Sequence, residues 1–414
     1  MSIIQAARRA AFDVEAVRSQ FPILHQEVNG YPLVYLDNAA SVQKPAAVID
    51  AIAHYYRHDH ANVHRGAHAL ATRATDAFEG ARAKVAAFLG GVAREEIIWT
   101  RGTTESVNLV ANSWGRANLR AGDEIVLTEM EHHANIVPWQ MVAAMTGARI
   151  RVVPVTDAGE LDMDAFRNLL GERTRLVAVT QVSNALGTIN PVAEIVRLAH
   201  AAGALALIDG AQAVSHFAMD VRTLGADFYV FSGHKLFGPT GIGVLYARRE
   251  LLDAMPPWQG GGQMIEKVAF AGTTYTEVPW KFEAGTPNIA GVVGMGAALE
   301  WLGTLDRNAA QAHEDALYAR LDAALAAMPG VRRIGTAPAR VSVASFLVEG
   351  AHPTDVGHLL DQQGIAVRAG HHCTMPLMAR LGIPGTVRAS VAFYNTAAEI
   401  DRFVAALEKV KTFI

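Results

Sequence analysis

The chain has 414 residues, half of them hydrophobic (51%) and 18% charged, with a formal net charge of −4. That length buries a large core and predicts two domains, while the acidic balance and the lack of any lysine/arginine run exclude a nucleic-acid partner. No apolar stretch is long enough to cross a bilayer, and one cysteine in the whole chain excludes an internal disulfide and fits a cytoplasmic location.

The N-terminal segment carries Arg8 and Arg9, then Asp13 and Glu15, with no cleavage-site pattern; it reads as a short helix packed on the body. From about Tyr31 to Tyr246 strand-like and helix-like runs alternate. Strands are expected at Leu33–Asp37, Glu96–Thr100, Glu124–Thr128, Ile150–Val155, Leu176–Val182, Ala204–Asp209, Asp227–Phe231 and Gly243–Tyr246. Helices are expected between several of them, for example over Asp76–Leu89 and Val192–Ala202. This alternation predicts an α/β architecture with a mostly parallel sheet covered by helices. Pro256-Pro257 and Gly260-Gly261-Gly262 then mark an extended loop, followed by helices near Val292–Leu302 and Ala309–Met328. A second region, about 330–414, holds strand candidates Val341–Val348, Ile365–Arg368 and Val387–Ala392. Its last helix opens on a capping box, Thr396 with Glu399, and presents Ile400, Phe403, Val404, Leu407 and Val410 on one face. This region reads as a smaller α+β domain.

The chemistry gathers at the ends of the strand candidates. Asp209 closes one apolar run, and Ser232-Gly233-His234-Lys235 closes the next; adjacent strand ends in an open α/β sheet point into one crevice. A lysine and an aspartate converging there suit pyridoxal phosphate (PLP), the amine taking the cofactor aldehyde and the carboxylate keeping the pyridine nitrogen protonated. Gly102-Thr103-Thr104-Glu105-Ser106 follows another strand and opens a helix, a place where free backbone N–H groups and Thr104 suit a phosphate, although threonine is also an everyday helix cap. With Ser232 and His234 nearby, the phosphate reading gains weight. His132, in Glu131-His132-His133-Ala134-Asn135, is placed to lie on a cofactor ring and move protons. A zinc pair is the other reading of His-His, but no further ligands stand at metal spacing. Asn184 and Gln212 are uncharged candidates for the ring hydroxyl, or ordinary loop residues.

Arg368 and Arg388 stand on apolar, strand-like segments, where a guanidinium needs an anion. A substrate carboxylate and an internal salt bridge are equal readings from the residues alone. Cys373 follows Gly370-His371-His372 in a segment rich in turn formers. A lone cysteine is often core filler, but this setting suits a reactive thiolate. With a PLP site, it points to a nucleophile that takes sulfur or selenium from an amino acid.

Taken in order, Tyr35-Leu36-Asp37-Asn38-Ala39-Ala40, Val63-His64-Arg65-Gly66, Arg101-Gly102-Thr103-Thr104-Glu105, Glu131-His132-His133-Ala134-Asn135, Asp209-Gly210-Ala211-Gln212, Ser232-Gly233-His234-Lys235, Phe282-Glu283-Ala284-Gly285-Thr286-Pro287-Asn288 and Arg368-Ala369-Gly370-His371-His372-Cys373 carry a resemblance. The chain resembles the PLP-dependent cysteine desulfurases of the class V aminotransferase group, and most of all the SufS-like (group II) enzymes of iron–sulfur cluster assembly. The short run from Cys373 into Thr374-Met375-Pro376 is similar to group II.

The resemblance implies the aspartate-aminotransferase-like fold of PLP-dependent transferases (fold type I). It implies a large PLP-binding domain over 31–304 and a small domain from 1–30 plus 305–414. Lys235 would hold the cofactor and move the Cα proton, Asp209 would pair with the pyridinium, and His132 would stack and act as acid/base. Asn184 and Gln212 would contact the ring hydroxyl, and Thr104, Ser232 and His234 the phosphate. Thr286 would reach the phosphate of a neighbouring subunit, implying a homodimer. Arg388 would clamp the substrate carboxylate with Asn184, and Arg368 and His64 would support. L-cysteine would yield L-alanine and a persulfide on Cys373, unloaded by a SufE-like acceptor. Selenocysteine lyase and cysteine sulfinate desulfinase share this fold and site and are the rival readings, with L-selenocysteine a further substrate. A true aminotransferase has no use for the cysteine, and a non-catalytic scaffold would have lost Lys235, Asp209 or Cys373.

Overall fold

The structure is a computed structural model and describes residues 12–413. The expected N-terminal helix is present as Val14–Arg18; Arg8 and Arg9 lie outside the described residues.

Seven strands form the central sheet: β1 (Ile97–Thr100), β2 (Glu124–Thr128), β3 (Arg149–Val153), β4 (Thr174–Thr180), β5 (Leu205–Asp209), β6 (Phe228–Ser232) and β7 (Gly243–Ala247). Their spatial order is β1-β7-β6-β5-β4-β2-β3. Only β7 runs against the rest, pairing antiparallel with β1 and β6; β6, β5, β4, β2 and β3 are parallel neighbours. Every residue of β1, β2, β6 and β7 is buried, the continuous apolar pattern expected of strands covered on both faces. Successive residues feed opposite layers. Ile208 and Val177 join the core that contains the helix Ala69–Phe88, while Leu207 and Leu176 join the core that contains Val107 and Trp139.

A second, four-stranded antiparallel sheet contains Val331–Ile334, Val343–Val348, Thr386–Ser390 and Arg368–Gly370, in that order. The helices Arg307–Ala327, Pro353–Asp361 and Ala397–Lys411 supply apolar residues to its core. The capping box is formed: Thr396 Oγ1 accepts the Glu399 N–H (3.2 Å) and Glu399 Oε2 accepts the Thr396 N–H (3.0 Å).

Three segments differ from expectation. The run Ile365–Arg368 is two strands, because Ile365–Ala366 pairs in parallel with Val34–Tyr35 while Arg368–Gly370 pairs with the second sheet. The helix expected from Asp76 already begins at Ala69, where the His68 side chain accepts the Ala71 N–H. Beyond the extended loop stands a two-stranded ribbon, Ile265–Ala269 with Gly272–Tyr275, exposed almost throughout. It has no buried face, so no alternation announced it. No helix among the described residues is long and apolar enough to cross a membrane.

Candidate active site

β1, β2, β4, β5 and β6 end on the same side of the sheet, in Thr100, Thr128, Thr180, Asp209 and Ser232. The crevice at these ends is where an open α/β sheet binds ligands. After Thr100 the chain turns at Gly102 (φ +155°) into the helix Thr103–Val110. The turn needs glycine on both sides: a Cβ on Gly243 would lie 2.4 Å from the Gly102 Cα. Ser232 Oγ then accepts the Thr103 N–H at 2.9 Å and lies 2.8 Å from Thr103 Oγ1. That contact joins the Ser-Gly-His-Lys turn to the helix N-terminus.

A cavity of about 190 Å3 fills the crevice. The sequence-predicted residues Thr104, His132, Asn184, Asp209, Gln212, Ser232, His234, Lys235, Arg368, Cys373 and Arg388 all line it. His64 and Thr286 do not. His64 Nε2 sits 2.8 Å from Glu79 Oε1, away from the cavity, and Thr286 lines a separate hollow with Arg101, Glu105 and Asn288.

Burial dominates the electrostatics. It pulls the Lys235 amine down to about 8, with Asp209 opposing and Arg388 reinforcing. Near neutral pH about a tenth of Lys235 is then an uncharged nucleophile, far more than for an ordinary lysine. His132 is pushed down to about 3 by burial and then by Lys235, so its imidazole is neutral. Its Nδ1 accepts the Ala134 N–H at 3.0 Å, which leaves the ring proton on Nε2. Burial likewise takes His234 to about 4 and His372 to about 2. Asp209 is fully enclosed, accepts the Ala211 N–H at 2.9 Å, and is raised by desolvation.

The two arginines meet a residue that the reading of the sequence gave no role. Asp37 Oδ1 accepts from Arg388 Nη2 at 3.0 Å, and Arg368 Nε lies 3.3 Å from both Asp37 oxygens. Arg388 is buried (2% exposed) and also donates through Nη1 to the Asn184 carbonyl at 2.8 Å. Arg368 is half exposed, so the burial cost assigned to both from the sequence applies to Arg388 alone. Asn184 donates its amide to the His372 carbonyl (2.7 Å), and Gln212 donates to the Ala39 carbonyl (2.7 Å).

Cys373 is half-buried in a tight turn where both His372 (φ +51°) and Cys373 (φ +58°) are left-handed, an uncommon backbone for residues with a Cβ. Three local contacts hold it. His371 Nδ1 accepts the Cys373 N–H (3.0 Å), the His133 N–H donates to the Cys373 carbonyl (2.8 Å), and His133 Nε2 accepts the Met375 N–H (3.0 Å). His372 also lines the cavity, and its Nε2 meets Thr386 Oγ1 at 2.8 Å.

Behind His132, Glu131 is wholly buried and pushed up to about 8 by desolvation. It accepts from Thr128 Oγ1, the Thr180 N–H and Asn135 Nδ2, bracing the ends of β2 and β4. Asp37, Thr103, Glu131, His133 and His372 are the residues that motif reading left without a role. All five stood inside quoted motifs; the acidic character of Glu131 beside His132 and His133 was an available signal, whereas no sequence neighbour of Asp37 gave one.

These residues fit PLP. Arg388 Nε and His372 Nδ1 are buried without a hydrogen-bond partner beside the cavity, and an enclosed carboxylate faces an enclosed amine across it. A cationic ring nitrogen matches Asp209, an aldehyde matches Lys235, and a phosphate matches the helix start with Thr104, Ser232 and His234.

Comparison with known proteins gives a consistent set of likenesses. The aminotransferase class-V family model matches residues 34–403. A cysteine desulfurase of Dickeya dadantii is 57% identical over 400 residues, covering 96% of this chain and 97% of that protein. A cysteine desulfurase of Synechococcus elongatus is 55% identical over 98% of this chain, which spans only 65% of that protein's length. Among solved structures, the cysteine desulfurase CsdA of Escherichia coli superposes with a TM-score of 0.90 at 45% identity, covering 97% of this chain and 99% of that one.

Proposed function

The chain belongs to the class-V aminotransferase family, and from that premise we propose that it is a PLP-dependent cysteine desulfurase, releasing L-alanine from L-cysteine and keeping the sulfur on Cys373. Its fold is the aspartate-aminotransferase-like fold type I, and its cofactor is PLP. One observation carries the reading: Cys373, the only cysteine, lines the same cavity as Lys235 and Asp209.

When bound, PLP supplies an aldehyde that lysine and substrate amines exchange, and a ring that stores the electron pair released at Cα. The chain's own residues do the rest. Asp209 would keep the ring nitrogen protonated, in an enclosure that strengthens the pairing. Thr104, Ser232 and His234 would anchor the phosphate, and Asn184 and Gln212 would border the ring hydroxyl. Arg388 orients the substrate α-carboxylate, with Asn184 fixing its guanidinium. Lys235, uncharged in part at neutral pH, takes the Cα proton and returns it. His132, neutral with its proton on Nε2, would lie against the ring and serve as the second proton carrier. Cys373 Sγ then attacks the substrate sulfur: an S–S bond forms, the substrate C–S bond breaks with its electron pair going to carbon, and protonation completes L-alanine.

Thr286 is absent from its own chain's cavity, which supports a homodimer in which it serves the neighbouring site. The half-buried Cys373 supports delivery to a docked acceptor, a SufE-like protein in a cytoplasmic iron–sulfur assembly route. Arg368 and His64 take supporting roles. The test is alanine release from L-cysteine by holoenzyme, compared with a Cys373→Ser variant of equal cofactor content. The variant is expected to lose release; a fully active variant contradicts the reading.

A further inference from the structure

We propose that Asp37 sets the charge of the substrate clamp and so restricts which second group a substrate can carry. The inference rests on the desulfurase reading above and deepens it.

Arg368 and Arg388 are direct cross-strand partners in the second sheet. Like charges opposite one another on neighbouring strands repel, so this register needs an anion. Asp37 supplies it from outside the sheet. It arrives next to the parallel pairing of Val34–Tyr35 with Ile365–Ala366, bridges to Ser390, and places its carboxylate against both guanidiniums. Two guanidiniums and one carboxylate leave one net positive charge facing the cavity. One charge matches one α-carboxylate. Arg388, buried and with its Nε unpartnered, is the group positioned to use it. Arg368 also lines the cavity, but its Nε faces Asp37. Asp37 is therefore a positioning residue: it orients Arg388, and it withholds Arg368 from a second carboxylate on the substrate. Specificity of this kind works by disfavouring the competitor.

The test counts charges with non-desulfurated ligands. Holoenzyme is titrated with L-alanine and with L-aspartate, which adds a second carboxylate, and dissociation constants are read from the cofactor absorbance. In Asp37→Asn the preference for L-aspartate over L-alanine is expected to rise about tenfold, equivalent to about 1.4 kcal/mol. In Arg368→Gln, where Asp37 is left to Arg388 alone, L-alanine is expected to bind about tenfold more weakly. Combining the two restores one net charge, so the double variant should recover L-alanine binding and lose the L-aspartate preference. A residue needed only for folding would instead make the double variant worse than either single one. A preference changed by less than about threefold in Asp37→Asn overturns the proposal, as does a double variant that binds L-alanine no better than Arg368→Gln. Should Asp37→Asn fail to fold, undiminished L-alanine binding by Arg368→Gln overturns it alone. Turnover of L-cysteine by the unaltered chain, measured alongside, tests the desulfurase reading independently.

Discussion

The backbone N–H of His133 donates to the carbonyl of Cys373 over 2.8 Å, and the His133 ring accepts the Met375 N–H two residues further on. The turn after β2 that places His132 in the cavity is thereby tied to the turn that presents the thiol. The ring clamps the cysteine turn on one side, while the His371 ring, 5.6 Å away, caps the Cys373 N–H on the other.

His133→Ala should therefore loosen the cysteine turn without touching the cofactor contacts. Persulfide formation is expected to slow about tenfold, the worth of one such hydrogen bond, with an unchanged cofactor absorbance spectrum. Stopped-flow absorbance and mass spectrometry of Cys373 read both. A cofactor spectrum that changes as much as the persulfide rate would refute this division of labour.

In the proposed function, capture of the cofactor by the apoenzyme depends on the free Lys235 amine. Burial lowers that amine from its ordinary 10.5 to about 8, against a raising pull from Asp209. The proton-free form is the nucleophile, so the capture rate should climb with pH and level off above about 8. Asp209→Asn removes the raising influence and should move that inflection to lower pH. An inflection remaining near 10.5 in the unaltered protein would show that Lys235 is not enclosed as described.

Lys235→Ala should abolish covalent attachment: borohydride treatment is expected to fix the cofactor to the natural chain and to leave none on the variant. Alanine production should fall by at least about two to four orders of magnitude, the range for loss of a proton-transferring group. Retained attachment would mean that another lysine holds the cofactor.

A structural prediction concerns the support of the Thr286 segment. Arg82 and Glu283 form a buried pair with contacts of 2.7 and 2.9 Å, and Glu283 also accepts the Trp99 N–H at 2.7 Å within β1. Glu283→Ala leaves Arg82 buried with only Glu79 as its carboxylate partner. The expected cost is about 3–5 kcal/mol, read as a lower urea midpoint for the holoenzyme. A midpoint within experimental error of the natural chain would contradict the buried geometry.

The parts of the site legible in the sequence share one property: each sits at the end of an apolar run. Asp209, Ser232 and Lys235 follow strands buried on both faces, so a polar residue there has only the crevice to enter, and Thr104 and His132 follow the same logic. Asp37 was not legible in that way, because its partners lie more than three hundred residues on and meet it only when two short strands pair across the chain. Arg388 and Arg368 looked alike in sequence, yet only the register of the second sheet makes one buried and the other half exposed. The ribbon Ile265–Tyr275 was invisible for the opposite reason, since a strand pair with no buried face leaves no hydrophobic period.

The measurement that bears most directly on the function is mass spectrometry of Cys373 after holoenzyme meets L-cysteine, with L-alanine quantified in the same sample. L-selenocysteine and cysteine sulfinate are run in parallel. One added sulfur on Cys373 and matching L-alanine are expected from L-cysteine, with more turnovers once a SufE-like acceptor is supplied. Turnover of L-selenocysteine or cysteine sulfinate alone, with Cys373 unmodified, would contradict the proposed function.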